Sequence, residues 1–132
     1  MNFYESANET LGARESRKVG NNTYLKRRDE NTIAVMLHST DVVTMTPDYV
    51  ELNTGGWYTV TTKERINRYV PFNNVFSEKG RWYVGKHYPV KEATPFFDGI
   101  RISHDGRVLN PMDTAEDDTA KKEAAKLKRK IS

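Results

Sequence analysis

The sequence predicts a mainly β (α+β) fold: an antiparallel β-meander with one short central helix and two further hairpins, followed by a flexible charged C-terminal tail. Three observations predict it. From Thr23 onward apolar residues recur at every second position, as in Ile33, Val35 and Leu37, which is the period of a strand with one buried face. Turn formers then cut the pattern into short runs, among them Asp29-Glu30-Asn31, Pro47-Asp48, Lys79-Gly80 and Asp105-Gly106. The clearest helix signal lies at the centre, where Thr61 and Glu64 have capping-box spacing and Ile66, Tyr69 and Val70 share one helical face.

In chain order, residues 1–20 form a polar N-terminal segment whose aromatics are Phe3 and Tyr4. Leu11 and alternating charges allow a short helix over residues 9–18, with disorder as the alternative. A β-rich domain then occupies residues 21–111. Residues 23–28 and 32–38 pair as a hairpin, residues 42–45 and 49–52 add two strands, and residues 57–60 a fifth. The helix from Thr61 ends at Pro71 and, at about nine residues, must be held by the sheet. Strands at 75–77 and 81–86 flank Lys79-Gly80, and strands at 100–103 and 107–109 flank His104-Asp105-Gly106. The loop over residues 87–98 is pinned by Phe96 and Phe97. Residues 112–132 turn acidic and then basic, a charge order that suits the dipole of a charged helix over residues 114–130.

Composition removes several chemistries. The 132 residues are enough for one domain with tails, and the absence of cysteine removes disulfides, thiolate catalysis and sulfur-ligated zinc. No apolar run approaches the ~20 residues needed to cross a bilayer, and the N-terminus lacks signal-peptide character, so the expectation is a soluble intracellular protein without a membrane partner. The net charge of +3 is unevenly placed: residues 119–132 hold six basic residues against Glu123, while residues 1–118 hold 15 basic and 17 acidic. Basicity therefore belongs to the tail, and the pI of the whole chain says little about the folded part.

Three blocks, RESRKVGNNTYLKRRDENTIAV from Arg14, LHSTDVVT from Leu37 and GGWYTVTTKERIN from Gly55, resemble a group of small proteins of tailed bacteriophages over roughly residues 11–110. The resemblance implies a phage origin, hence the host cytoplasm, and no mechanism. It also implies an Asp-Gly-type turn between the third and fourth strands, where this chain has Thr46-Pro47-Asp48-Tyr49. The charged C-terminus lies outside it.

Five constellations bear on function. Thr61, Thr62, Lys63 and Arg65 gather hydroxyls, helix N–H groups and cations where a phosphate would bind, although the glycine cradle of a P-loop is missing and Glu64 opposes an anion. The plain alternative is a helix cap with solvated charges. Lys26 and Arg28 share one strand face with Tyr24, within the basic run Arg14, Arg17, Lys18, Lys26, Arg27 and Arg28, and with Trp57 and Trp82 they make a nucleic-acid track. Basic strands equally protect sheet edges. His38, Ser39 and Asp41 do not make a triad by proximity alone, and His38, His87 and His104 are too widely spaced for a metal site, so neither catalysis, a metal nor a cofactor is expected. Of the aromatic set Trp57, Tyr58, Trp82, Tyr83, Phe96 and Phe97, most belong to the core, with one member of each Trp-Tyr pair reaching the surface. Lys121, Lys122, Lys126, Lys128, Arg129 and Lys130 in the tail add salt-dependent affinity for polyanions, or simply solubility.

The leading expectation is a non-enzymatic accessory protein that binds nucleic acid through Lys26, Arg28, Trp57, Lys63, Arg65 and Trp82. The alternatives are a nucleotide-sequestering protein acting against host defence signalling, with the ligand held between the Gly-Gly-Trp turn and the helix start, and a virion or host-protein interaction module. Unpaired strand edges also admit a homo-oligomer.

Overall fold

Alternating residues bury one face of a strand only if a neighbouring strand continues the face, and here six strands in one sheet do so. The computed structural model describes residues 2–85 and 93–111. In chain order it contains α1 (Phe3–Leu11), β1 (Ser16–Gly20), β2 (Thr23–Asp29), β3 (Thr32–Leu37), β4 (Thr40–Met45), β5 (Tyr49–Leu52), α2 (Val60–Asn67), β6 (Asn74–Glu78), β7 (Arg81–Gly85), β8 (Thr94–Pro95) and β9 (Ile100–Ser103). The large antiparallel sheet has the order β1-β2-β3-β4-β5-β9, and a small antiparallel sheet has the order β6-β7-β8. The expected mainly β class and its meander are present.

Register explains the core. Leu25, Val35, Val43, Leu52 and Ile100 lie opposite one another across five strands, and Ile33, Met45, Val50 and Ile102 form a second row across four. All nine are essentially inaccessible to solvent. Burying each such side chain contributes about 1.5–3 kcal/mol, so these rows fix the register: a one-residue slip would turn a whole strand inside out. The opposite face carries Lys18, Tyr24, Lys26, Thr44, Glu51 and Arg101.

The helices and the small sheet cover the apolar face. Val75, Val84 and Phe96 bring the small sheet into the same core, and α2 contributes Ile66. The Asn67 side chain accepts from Val75 N (2.7 Å) and donates to Val75 O (2.8 Å), so it tethers the end of α2 to β6 much as a neighbouring strand would. Phe3 of α1 meets Tyr69 edge-on at 5.8 Å, which links α1 to the segment that follows α2.

Several expectations are corrected. The N-terminal helix spans Phe3–Leu11 and not residues 9–18, because Asn2 and Glu5 form a capping box and Tyr4, Ala7 and Leu11 make a buried stripe. Gly12 stops it with φ +57, and β1 uses residues counted above as helix or disorder. Residues 57–59 form no strand: Gly55 (φ +65) and Gly56 (φ +91) turn the chain, and it enters α2 directly. Thr59, not Thr61, caps α2, its Oγ1 accepting from Thr62 N at 3.2 Å, and the helix ends at Asn67, before Pro71. The third strand starts at Thr40, so the turn is His38-Ser39, with His38 at φ +57. Residues 107–109 provide one bridge, Val108 to Ile102, in place of a full strand. Both Trp57 and Tyr58 are exposed, where one was expected inside. The loop of residues 87–98 contributes β8, with Pro95 at an edge where its missing N–H costs nothing. His87, the end of the 81–86 strand, the expected 114–130 helix and all six tail cations lie outside the described residues.

Candidate functional site

The chain between β5 and α2 cannot continue as a strand, so its backbone groups need other partners. They find them in Asp98, 44 residues away. Thr54 N donates to Asp98 Oδ1 at 2.7 Å, and Thr54 Oγ1 bonds the same carboxylate at 2.9 and 3.1 Å. That hydroxyl in turn accepts from Gly56 N at 3.0 Å, and Trp57 N donates to Thr54 O at 3.0 Å. Thr54 is fully buried. Next to it, Gly55 lies so close to β4 that a Cβ there would stand 2.8 Å from Thr40 Cγ2. The turn is thus fixed from two sides, and it projects Trp57 with 65% of its surface exposed.

Together with the start of α2 and the β3–β4 turn, this segment encloses a cavity of about 500 Å³. Leu37 and Val42 supply aliphatic surface and Trp57 an aromatic wall. Ser39, Thr40, Thr54, Thr59, Thr61 and Thr62 supply hydroxyls, and among the described residues His38 is the one titratable side chain of the lining. Thr59 Oγ1 also donates to Thr62 Oγ1 at 3.1 Å, which fixes the wall formed by the helix. Thr59 engages the amides of Thr62 and Lys63, leaving those of Val60 and Thr61 as the open donors of the helix start.

A family model described as Kyanoviridae Gp96 protein matches residues 2–103. The chain belongs to this family. It is a family of phage proteins, so the phage origin implied by the sequence blocks stands at that level. No curated protein and no solved structure matches the chain. The matched span of the Gp96-family chain contains the cavity, α1 and β9, and it stops before the charged tail.

Within this Gp96-family chain the residues singled out from sequence separate into groups. Trp57, Thr61 and Thr62 converge on the cavity. Lys63 does not line it; its Nζ bonds Ser77 Oγ at 3.2 Å and sits 5.3 Å from the centre of the Trp82 ring. Trp82 itself packs in an edge-on cluster with Tyr58 and Phe96. Arg65 is a structural staple, only 15% exposed, which donates from Nε to Thr23 Oγ1 at 2.9 Å and also pairs with Glu64. Arg28 makes a two-toothed ion pair with Asp41 at 2.6 and 3.1 Å, so Asp41 serves this pair and takes no part in a triad. Lys26 stands on the open face of the large sheet, 5.6 Å from the Tyr24 ring and beside Lys18.

Glu64 does not oppose an anion in the way the sequence implies. It is turned to Arg68 and Arg65, and the Arg68 hydrogen bond, against some desolvation and with help from Arg65, holds its carboxyl below the usual carboxylate range. Its ion-pair partners are Arg65 of α2 and Arg68 at the C-cap. Sequence reasoning missed Thr54, Asp98 and Thr59 as site-building residues, and it weighed His38 and Ser39 as members of a triad and His38 as a metal ligand, not as walls of a cavity. The one local signal was Asp98-Gly99, a turn pair whose carboxylate partner lies far away in sequence. No helix among the described residues is long and apolar enough to cross a membrane, and among them no group of three His, Asp or Glu could hold a metal ion.

Proposed function

We propose that this phage protein is a non-enzymatic accessory protein that retains a nucleotide-type ligand in the Trp57 cavity, in the cytoplasm of the host. The observation that supports this reading is the convergence of Trp57, Thr61 and Thr62 on one cavity of about 500 Å³, a volume inside the range of roughly 300–1,000 Å³ for small-molecule sites. A base stacks on the indole, and hydroxyls that both donate and accept meet its edge and the ribose. The open amides of Val60 and Thr61 face a phosphate oxygen with the helix dipole behind them. No step requires a catalytic group, since holding the ligand is the function, as sequestration of a signalling nucleotide would need.

The test is a thermal shift of the full chain with nucleosides and their phosphates, backed by quenching of Trp57 fluorescence in a Trp82→Phe variant. A ligand at a hundred times its Kd raises stability by about 2.7 kcal/mol. Trp57→Ala should shrink the shift, since stacking of one base on the indole is worth about 1–3 kcal/mol. Absence of a shift with every nucleobase-bearing probe at about 1 mM, which for a micromolar ligand is about a thousandfold excess over Kd and worth about 4 kcal/mol of stability, would end this reading.

Nucleic acid is the second reading, supported by Lys18, Tyr24 and Lys26 together on the uncovered sheet face. It predicts a gel shift of single-stranded DNA or RNA that fades steeply with salt and is lost in Lys18→Ala/Lys26→Ala. Binding that survives this double change would move the contact off the sheet.

A further inference from the structure

We infer that the Trp57 cavity takes a nucleobase ligand carrying at most one phosphate group, a nucleoside, a nucleoside monophosphate or a cyclic phosphodiester, and rejects polyphosphates. The inference deepens the nucleotide reading above and rests on it. What supports it is the charge inventory of the walls. Among the described residues no Asp, Glu, Lys or Arg lines the cavity, and the hydroxyls that do line it can satisfy sugar and base atoms without carrying charge.

The cations that sequence places nearby are already engaged. Arg65 is drawn inward to Thr23 and Glu64, Arg68 is bound to Glu64, and Lys63 is held by Ser77 and Trp82. Arg28 is committed to Asp41. A triphosphate brings several negative charges into a partly desolvated site and needs charge-assisted partners to compensate, as P-loops provide with lysine and metal. Among the described residues the compensation at this wall is the pair of open amides at the start of α2, Thr61 in the lining and Val60 next to it in the chain, each a single neutral donor. Two such donors match the oxygens of one phosphate group. Among the described residues no cluster exists that would hold a metal ion in place of the missing cations.

Hydroxyl walls of this kind also set the specificity for the rest of the ligand. The Thr54 and Thr59 hydroxyls are held by internal hydrogen bonds, while those of Ser39, Thr40 and Thr61 rotate to donate or accept, so the cavity discriminates between bases weakly and between charges strongly. The contrast to measure is therefore between members of one nucleoside series that differ only in phosphate number.

The experiment is titration calorimetry of the full chain with adenosine, adenosine monophosphate, the cyclic 3′,5′-monophosphate and the triphosphate, repeated with guanosine, cytidine and uridine series. The expected result is binding by the nucleoside or monophosphate forms, with the triphosphate weaker by roughly tenfold or more. Thr61→Lys, which sets a cation at the wall, should raise the ratio of triphosphate to nucleoside affinity about tenfold. A triphosphate that binds as tightly as its monophosphate, or a Thr61→Lys variant that affects all forms equally, overturns the charge rule and leaves the nucleotide reading standing. Silence from every series overturns both.

Discussion

Gly55→Ala tests whether the turn that carries Trp57 is fixed by steric contact with β4. Two costs are separable. Gly55 has φ +65, and an L-residue there pays about 1–2 kcal/mol for the left-handed conformation. The added Cβ would also stand 2.8 Å from Thr40 Cγ2, 2.9 Å from its Oγ1 and 3.4 Å from its Cβ. Contacts that short force β4 or the turn to move, and overpacking of this kind costs about 1–3 kcal/mol. The single variant should therefore lose about 2–5 kcal/mol. Thr40→Ala removes both offending atoms and leaves only the 3.4 Å neighbour, so in that background Gly55→Ala should cost the backbone term alone. The coupling energy of the double-mutant cycle is then about 1–3 kcal/mol, measured by urea denaturation at equilibrium. In thermal terms that is a recovery of roughly 4 °C or more for a domain of this size. Additive effects within about 0.5 kcal/mol would refute the steric account and leave the turn held by Asp98 alone.

Two further outcomes follow from polar groups elsewhere. Asn67→Ala strips both backbone partners from Val75, which is buried, and should lower stability by about 2–4 kcal/mol; a loss under about 1 kcal/mol in urea would mean that water replaces the amide. Burial raises the Tyr69 phenol above its ordinary value, against the smaller opposing effect of Arg68, so as pH climbs past that value of 10 the unfolded chain releases its proton first. Stability should fall with rising pH in that window, and Tyr69→Phe should flatten the decline; an unchanged alkaline profile would remove Tyr69 as its source.

The meander was legible because its signal is local. Ile33, Val35 and Leu37 alternate within six residues, and the turns between strands are short enough to be written in adjacent letters. The N-terminal helix was legible too, through Asn2 with Glu5 and through Tyr4, Ala7 and Leu11, but charges around Leu11 drew attention to a later window. Residues 57–59 have strand-like composition, and what overrides it is non-local. Thr54 must satisfy Asp98, and Gly55 must clear Thr40, neither of which the sequence places near the turn. Two cations of the expected basic track have partners that are equally non-local. Arg28 and Arg65 read as free cations until the fold supplies Asp41 and Thr23 as their partners.

The same long-range contacts that hid the cavity also decide how it would hold a ligand. Thr54 is tied to Asp98, Gly55 is set against Thr40, and Thr59 is bonded to Thr62, so three walls are fixed before anything binds. A ligand spends little ordering them, and the gain from hydroxyl contacts is then limited mainly by desolvation. Trp57 differs, because its backbone is anchored through Thr54 while its ring remains largely in water. Covering that ring recovers apolar area that folding left exposed, and stacking of one base on an aromatic is worth about 1–3 kcal/mol. The affinity should therefore concentrate in one side chain. Trp57→Ala is expected to weaken binding by that amount with little change in melting temperature, whereas Asp98→Ala, which releases the turn, should lower both. Equal losses of stability in the two variants would show that Trp57 is part of the scaffold and not a wall kept open for a ligand.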